Sequence, residues 1–365
     1  MSPETEIKTI KNWLPQSAEP LVISGPCSAE SREQLLQTAR LLAKQPQVKV
    51  FRAGIWKPRT RPNGFEGAGV EGLKWMQEVK AETGLLLTTE VANPQHIEQA
   101  LAHGIDILWI GARTVVNPFS VQELAEAIKG VDIPIFIKNP LTPDIKLWIG
   151  ALERFHKAGI DKLGAIHRGF HYFKQSPYRN APMWEIPIEL RRLMPTLPVI
   201  TDISHISGRR DLLQSIAQKA LDLETSGLMI ESHFDPDNAL TDAAQQISPA
   251  ALEQLLAQLV VRERTGSIDF QHKLEELRTE IDKLDGELIE LLARRMEVVK
   301  EIGVYKKENN ITILQLKRWK HIMEDRIAIG TNMGLDKQFL LLLLELVHEN
   351  SIQQQTKIFN QKDLG

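Results

Sequence analysis

A single cysteine, Cys27, stands in a chain of 365 residues. No disulfide can close within the chain, so nothing points to an oxidising compartment. An excess of positive charge is also missing: 44 Lys and Arg against 47 Asp and Glu leave a formal net charge of -3. Nucleic acids and acidic membrane surfaces select for a basic face, so neither is expected as a partner. The opening residues, MSPETEIKTIKNWLPQ, hold no apolar core of the kind that directs secretion. The one conspicuous apolar run, Leu340–Val347, is far shorter than the roughly 20 residues that span a bilayer. A cytoplasmic protein is therefore expected. What is present is an ordinary globular mix, 42% hydrophobic and 25% charged, at a length that suits one large domain and one small one.

Two periodicities divide the chain. Up to about residue 265, short β-rich apolar runs alternate with longer amphipathic stretches. The runs are Leu21–Ser24, Val48–Arg52, Leu85–Thr89, Ile107–Ile110, Ile135–Ile137, Leu163–Ile166, Val199–Thr201 and Leu228–Ile230. Helical spacing recurs between them, as in Arg32–Lys44, Val70–Glu82, Pro94–His103, Val121–Lys129, Pro143–Lys157, Arg209–Asp222 and Pro249–Arg262. Eight such units over roughly 250 residues predict an α/β fold, a (β/α)8 TIM barrel. An open doubly wound sheet is the alternative, because alternation alone does not show closure. No G-x-G-x-x-G follows the first run, which argues against a dinucleotide site.

The segment RERTGSIDF, Arg262–Phe270, reads as a junction, giving domains at 1–264 and 265–365. Beyond it only helical spacing remains. Leu277, Ile281, Leu284, Leu288 and Leu291 belong to one predicted helix from about 269 to 308, on the order of 60 Å long. Further helices are predicted over about 312–330 and 335–358, making a small all-α three-helix domain. Three helices, one of them so long, cannot bury their apolar faces alone. Dimerisation along the long helix is expected.

The residues just past each strand carry the chemistry. Arg52, Lys57, Arg59, Arg113, Lys138 and Arg168 are cations, and in a barrel all strand ends converge on one mouth. Six cations there repel one another unless anions neutralise them, so the substrate should carry phosphate and carboxylate groups. Cys27, His205, Glu231 and Asp242 form a second set: a thiol, an imidazole and two carboxylates. That mixture suits one divalent ion, manganese first, with iron, cobalt or zinc as alternatives. Taken singly, each residue has an ordinary reading. Cys27 fits a small core residue, Glu231 a solvated strand end, and Asp242 with Gln245 a helix cap. Their joint placement after successive strands favours the shared mouth.

These positions also carry a family resemblance. GPCSAES, FRAGIWKPRT, WIGARTVVNPF, IFIKNP, IHRGF, VITDISHISGRR and LMIESHFDPDNALTDAAQQ resemble, in order, the motifs of the type I 3-deoxy-D-arabino-heptulosonate 7-phosphate (DAHP) synthases, over about residues 20–250. The resemblance is to the short-barrel subgroup. KPRT separates it from the sister synthase making 3-deoxy-manno-octulosonate 8-phosphate, whose loop carries Asn-Arg-Ser. His167 departs from the pattern, since many relatives have Glu there. The resemblance implies condensation of phosphoenolpyruvate with erythrose 4-phosphate. Cys27, His205, Glu231 and Asp242 would hold the metal. Arg113 and Arg168 would clamp the phosphoenolpyruvate phosphate, with Lys57 and Lys138 neutralising it. Arg52 would lie between the substrates, and Arg59 and Thr60 would bind the aldose phosphate.

In the tail, the stretch LRTEIDKLDGELIELLARRMEVVKEIGVYKK and the spacing of Arg278, Arg295, Lys306, Arg318, Ser351 and Gln355 resemble the all-helical chorismate mutases, over about 272–357. The implied reaction, chorismate to prephenate, is pericyclic and needs no acid, base or nucleophile. Catalysis is folding a dicarboxylate and stabilising charge on its ether oxygen. Arg295 and Arg278 of the partner subunit would grip the carboxylates, Lys306 and Gln355 would reach the ether oxygen, and Arg318 and Ser351 would bind substrate. Trp319 stands where the family has a Glu that takes the substrate hydroxyl, and Gln315 where an Asp is usual. Three functions are compatible with these features: two working enzymes of aromatic biosynthesis, a synthase whose tail senses chorismate or prephenate and dimerises, or a sister synthase using another aldose phosphate.

Overall fold

The structure, a computed structural model, describes residues 7, 9–14, 20–57, 64–173, 176–263 and 266–360. Two compact units divide between Arg262 and Glu263. The first is a closed barrel of eight parallel strands in chain order. They are β1 (Leu21–Gly25), β2 (Val48–Arg52), β3 (Leu86–Val91), β4 (Ile107–Ile110), β5 (Ile135–Lys138), β6 (Leu163–His167), β7 (Val199–Asp202) and β8 (Gly227–Glu231). β1 pairs with β8 from Leu21↔Gly227 through Gly25↔Glu231, which excludes the open sheet. Side-chain oxygens of Ser31, Asn93, Asn117, Asp144 and Ser248 cap the following helices by accepting from backbone N–H groups. Helix Glu185–Leu193 was not among the expected segments, nor were the short helices Ile10–Trp13, Ala112–Val115 and Ile203–Ser207; Pro187 in the first turn of Glu185–Leu193 hides its period.

Several strands run further than the apolar pattern. β5, β6, β7 and β8 end on Lys138, His167, Asp202 and Glu231, all buried. The polar residue is thus the last rung of the strand, not the first residue of the loop. Charge at a fully buried strand end is stable only with partners, so the sequence pattern stops one residue before the backbone ladder does.

The core has two layers. Outside the strands, Leu35, Leu73, Ile97, Leu124, Trp148 and Leu190 pack helices onto the barrel. Inside, Ile23, Val50, Ile107, Trp109, Phe136 and Met229 fill the lumen. The short helix Ile10–Trp13 adds Ile10 to this inner set, and the Trp13 ring lies 5.5 Å from that of Phe136. Gly164 makes room for Phe136: a Cβ there would sit 2.3 Å from its ring.

The second unit holds helices Ile268–Glu308, Leu316–Asn332 and Lys337–Asn360, and matches the three helices expected. Small residues let them approach. A Cβ on Gly303 would come within 3.0 Å of Ile358, and one on Gly330 within 2.6 Å of Leu340. Yet Leu277, Ile281, Leu284, Leu288 and Leu291 are each about half exposed. Among the described residues, about half of this apolar stripe is left uncovered. No helix among the described residues is long and apolar enough to cross a membrane.

Candidate active sites

The strand ends deliver the first site. β1 turns at Gly25, whose φ of +150° and whose contact with β2 (a Cβ would lie 2.1 Å from the Arg52 carbonyl) admit only glycine. Two residues on, Cys27 is fully buried. One ligand atom each from Cys27, Glu231 and Asp242 lie within 4.8 Å of one another. His205 adjoins them: its Nδ1 is 3.8 Å from Glu231 Oε1, but only 2.9 Å from Asp202 Oδ2 and out of hydrogen-bonding alignment there. Three of the four expected ligands therefore share one cluster, and the imidazole stands beside it, turned toward Asp202. Asp242 is not a helix cap. It sits in a tight turn with φ +50°, salt-bridged to Arg179 at 3.0 Å.

The cluster fits a divalent cation. A buried thiol, a buried carboxylate and a half-buried one crowd together, and Glu231 Oε1 and His205 Nδ1 lack hydrogen-bond partners. Burial, with Glu231 beside it, pushes the Cys27 thiol up to about 12. The thiolate that binds a metal thus needs a cation to form. Burial works against the Asp242 carboxylate too, but His205 and Arg179 outweigh it and hold that group at about 2.

Cations surround the cluster. Lys57 Nζ donates to Cys27 Sγ at 3.0 Å and to the Cys27 carbonyl at 3.1 Å. Burial draws its pKa down, but Cys27 and Glu231 more than offset this and raise it. Arg52 is 1% exposed, lies 3.2 Å from Glu231 Oε1 and rests 5.0 Å over the Trp109 ring. Lys138 Nζ donates to Asp202 Oδ2 at 2.9 Å and also faces Trp109. Arg168 donates to Asn180 Oδ1 at 2.8 Å; burial, and then Arg179 and Arg113 nearby, lower its pKa to about 10. Arg113 is exposed, within electrostatic reach of Arg168. Arg59 and Thr60 lie outside the described residues.

Sequence reasoning passed over the residues that hold this array together. Asp202, fully buried, faces Lys138, His205 and, at 4.0 Å, Arg52. Burial opposes its charge, but His205 and Lys138 pull its pKa well below the usual carboxylate range. Gln246 accepts from the Cys27 N–H at 3.0 Å and donates to the Thr241 carbonyl at 2.7 Å, tying the β1 loop to the turn that carries Asp242. Gln245 donates to Glu231 Oε2 at 2.6 Å and accepts from Arg179 at 2.7 Å. Asp202 stood among the strand-end charges, where the six cations called for counter-ions. Gln245 was read only as a capping partner of Asp242, and Gln246 gave no signal. His167 is neutral: burial lowers its pKa to about 4, while one ring nitrogen lies 2.6 Å from the Pro182 carbonyl.

The helical unit assembles a second group. Arg295 donates to Ser351 Oγ at 2.7 Å, and Ser351 donates in turn to the Val347 carbonyl at 2.6 Å. Lys306 lies three turns from Arg295 on the same helix and donates to the Ile313 carbonyl at 2.6 Å. Gln355 is 7% exposed, and its Oε1 has no partner. Arg318 is exposed. Arg278 is exposed beside Glu275, 3.6 Å away. It lies 17 residues before Arg295 on the same helix, about 25 Å along its axis at 1.5 Å per residue. Both cannot hold one small ligand within one chain.

Comparison with known proteins matches these two units. The sequence profile of the DAHP synthetase I family matches residues 11–265, and that of chorismate mutase type II matches 277–356. A phospho-2-dehydro-3-deoxyheptonate aldolase of Thermotoga maritima is 30% identical over 238 residues, 65% of this chain and 68% of its own length. A 2-dehydro-3-deoxyphosphooctonate aldolase of a Janthinobacterium species is 28% identical, covering 67% of this chain and 90% of its own. The crystal structure of a Thermotoga maritima DAHP synthase superposes with a TM-score of 0.59 at 27% identity, over 71% of this chain and 76% of that one. The chain belongs to the DAHP synthetase I family and carries a chorismate mutase type II domain after its barrel, which makes it a bifunctional enzyme of the shikimate pathway.

Proposed function

We propose that the barrel condenses phosphoenolpyruvate with erythrose 4-phosphate in a reaction that requires a divalent metal. We propose further that the helical unit rearranges chorismate as a dimer and reports its product to the barrel. The observation that carries the metal reading is the convergence of Cys27, Glu231 and Asp242 within 4.8 Å, with His205 beside them and Lys57 and Arg52 facing them. These four residues would hold the ion, which when bound supplies Lewis acidity to the aldehyde oxygen. Manganese is the first choice, and iron, cobalt and zinc are compatible with the donors.

The chain's own groups account for the rest. Arg168 and Arg113 receive the phosphoenolpyruvate phosphate, and two guanidinium groups already repelling each other gain most from a dianion. Lys138, fixed by Asp202, takes the carboxylate. C3 of the enol then adds to the aldehyde carbon. Lys57, pointing at Cys27, stands where it can give a proton to the alkoxide oxygen. Water adds at C2 and loses one proton to the Lys57 amine, and the hemiketal collapses to the ketone as the C2–O bond breaks and phosphate leaves with the hydroxyl proton. Arg59 and Thr60 follow β2 in sequence and suit the aldose phosphate. Arg52 stays buried between the halves and stabilises negative charge without moving.

In the helical unit, Arg295 and Arg278 of the partner subunit grip the two carboxylates, which the 25 Å spacing along one helix supports. Lys306 and Gln355 serve the ether oxygen, with Ser351 and Arg318 supporting the substrate. The half-exposed apolar stripe of the long helix supports pairing of two copies. A cytoplasmic location follows from this biosynthetic role.

The test is the full chain stripped of metal by a chelator. Condensation should vanish, and should return first with manganese, while chorismate turnover stays constant. Four-carbon erythrose 4-phosphate should be preferred over five-carbon arabinose 5-phosphate. Undiminished condensation after chelation would remove the metal role. Preference for the longer aldose would move the barrel to the sister reaction. Prephenate that leaves the condensation rate unchanged would remove the regulatory role.

A further inference from the structure

On the last helix, His348, Ser351 and Gln355 stand at i, i+3 and i+7, one face of that helix. Ser351 engages Arg295 across to the long helix, and Gln355 offers its buried, unpartnered oxygen. His348 joins this face from a different support: its ring stacks on the indole of Trp319, centroids 3.7 Å apart and planes 13° from parallel. Both rings are half-buried. Among the described residues, neither ring nitrogen of His348 is engaged in a hydrogen bond.

Trp319 itself cannot accept a hydrogen bond, because indole is a donor only. It does fix the plane of the imidazole, so that the in-plane hydrogen-bonding directions of both nitrogens run alongside the indole and not into it. Burial, and then the charges of Arg295 and Lys306, lower the His348 pKa and favour the neutral ring. A neutral imidazole offers one lone pair and one N–H. It therefore takes and gives a hydrogen bond without cancelling the positive charge on which a dicarboxylate depends. A carboxylate in the same place would cancel part of it.

We propose that His348, held against Trp319, is a specificity-determining residue of the helical site that hydrogen-bonds the ring hydroxyl of the bound dicarboxylate. This rests on the mutase reading above, and it adds a recognition element that comes from the last helix.

The test compares chorismate with its 4-deoxy analogue, which lacks that hydroxyl, on the full-length protein. In the wild type, kcat/KM should favour chorismate. His348→Ala should lower kcat/KM for chorismate about tenfold, the worth of one hydrogen bond, and leave the analogue within twofold. Trp319→Ala should do the same in weaker form, and His348→Asn should recover part of the loss. Condensation rate and melting temperature serve as checks on folding. Equal losses for both substrates would assign His348 a merely structural role and overturn the proposal, as would no loss for either. If the wild type turns over neither compound but binds both, the same ratios are read from dissociation constants. Binding of neither would bring down the mutase reading, and this proposal with it.

Discussion

Asp202 is the most informative position to perturb. It is fully buried and, among the described residues, is the carboxylate that faces Lys138, His205 and Arg52 together. Asp202→Asn keeps the shape and removes the charge. At an effective dielectric of about 20, the Lys138 contact at 2.9 Å is worth roughly 6 kcal/mol before desolvation. Breaking one side of a buried pair costs about 3–5 kcal/mol in practice, and Asn still accepts one hydrogen bond, so about 3–4 kcal/mol is expected. For a domain of this size that lowers the melting temperature by roughly 6–15 °C. Calorimetry of the full chain measures it directly, with melting of the helical unit as an internal reference. Lys138→Met placed on Asp202→Asn should restore at least half of the loss, because no unpaired ammonium remains. A shift below about 2 °C for Asp202→Asn would refute the idea that this carboxylate neutralises the strand-end cations.

Four further outcomes are expected. Cys27→Ala should abolish condensation and lower metal content measured by atomic absorption, yet leave chorismate turnover within twofold; loss of both activities in a folded protein would end the two-site picture. Arg295→Ala should do the reverse, cutting mutase kcat/KM by 100-fold or more, about 3 kcal/mol. Gly164→Ala should destabilise the barrel by about 2 kcal/mol or more, read by urea denaturation, because its Cβ would collide with the Phe136 ring at 2.3 Å. His167 should make the barrel acid-sensitive. The unfolded chain binds its proton near the ordinary histidine value of 6.5, whereas the folded chain refuses it until about 4. Stability is then complete above 6.5 and falls by roughly 3 kcal/mol as pH drops toward 4. His167→Gln should flatten the slope of melting temperature against pH in that window by about one proton, and an unchanged slope would show that another group dominates.

Much of this molecule was legible because its signals are local. Alternation of apolar runs gave the eight strands, and helical spacing gave the three tail helices. Where the reading fell short, the cause was a residue whose meaning depends on a distant partner. Pro187 disguised the helix Glu185–Leu193. Lys138, His167, Asp202 and Glu231 looked like loop residues because charge normally ends a buried strand, and here they are its last rungs. Asp242 resembled a helix cap by its spacing to Gln245, but it occupies a left-handed turn pinned by Arg179.

The sequence by itself determined which chemical groups come after each strand, that a barrel-like region gives way to a helical one, and that the long helix carries an apolar stripe. Only the tertiary structure decided that the sheet closes, that Cys27 and Asp242, 215 positions apart, share a cluster, that His205 leans on Asp202, and that Gln246 ties the two loops. The physical reason is range. Side-chain type and periodicity act over a few residues and are written along the chain, whereas the few ångströms between ligands depend on closure of β1 onto β8, which no single segment encodes.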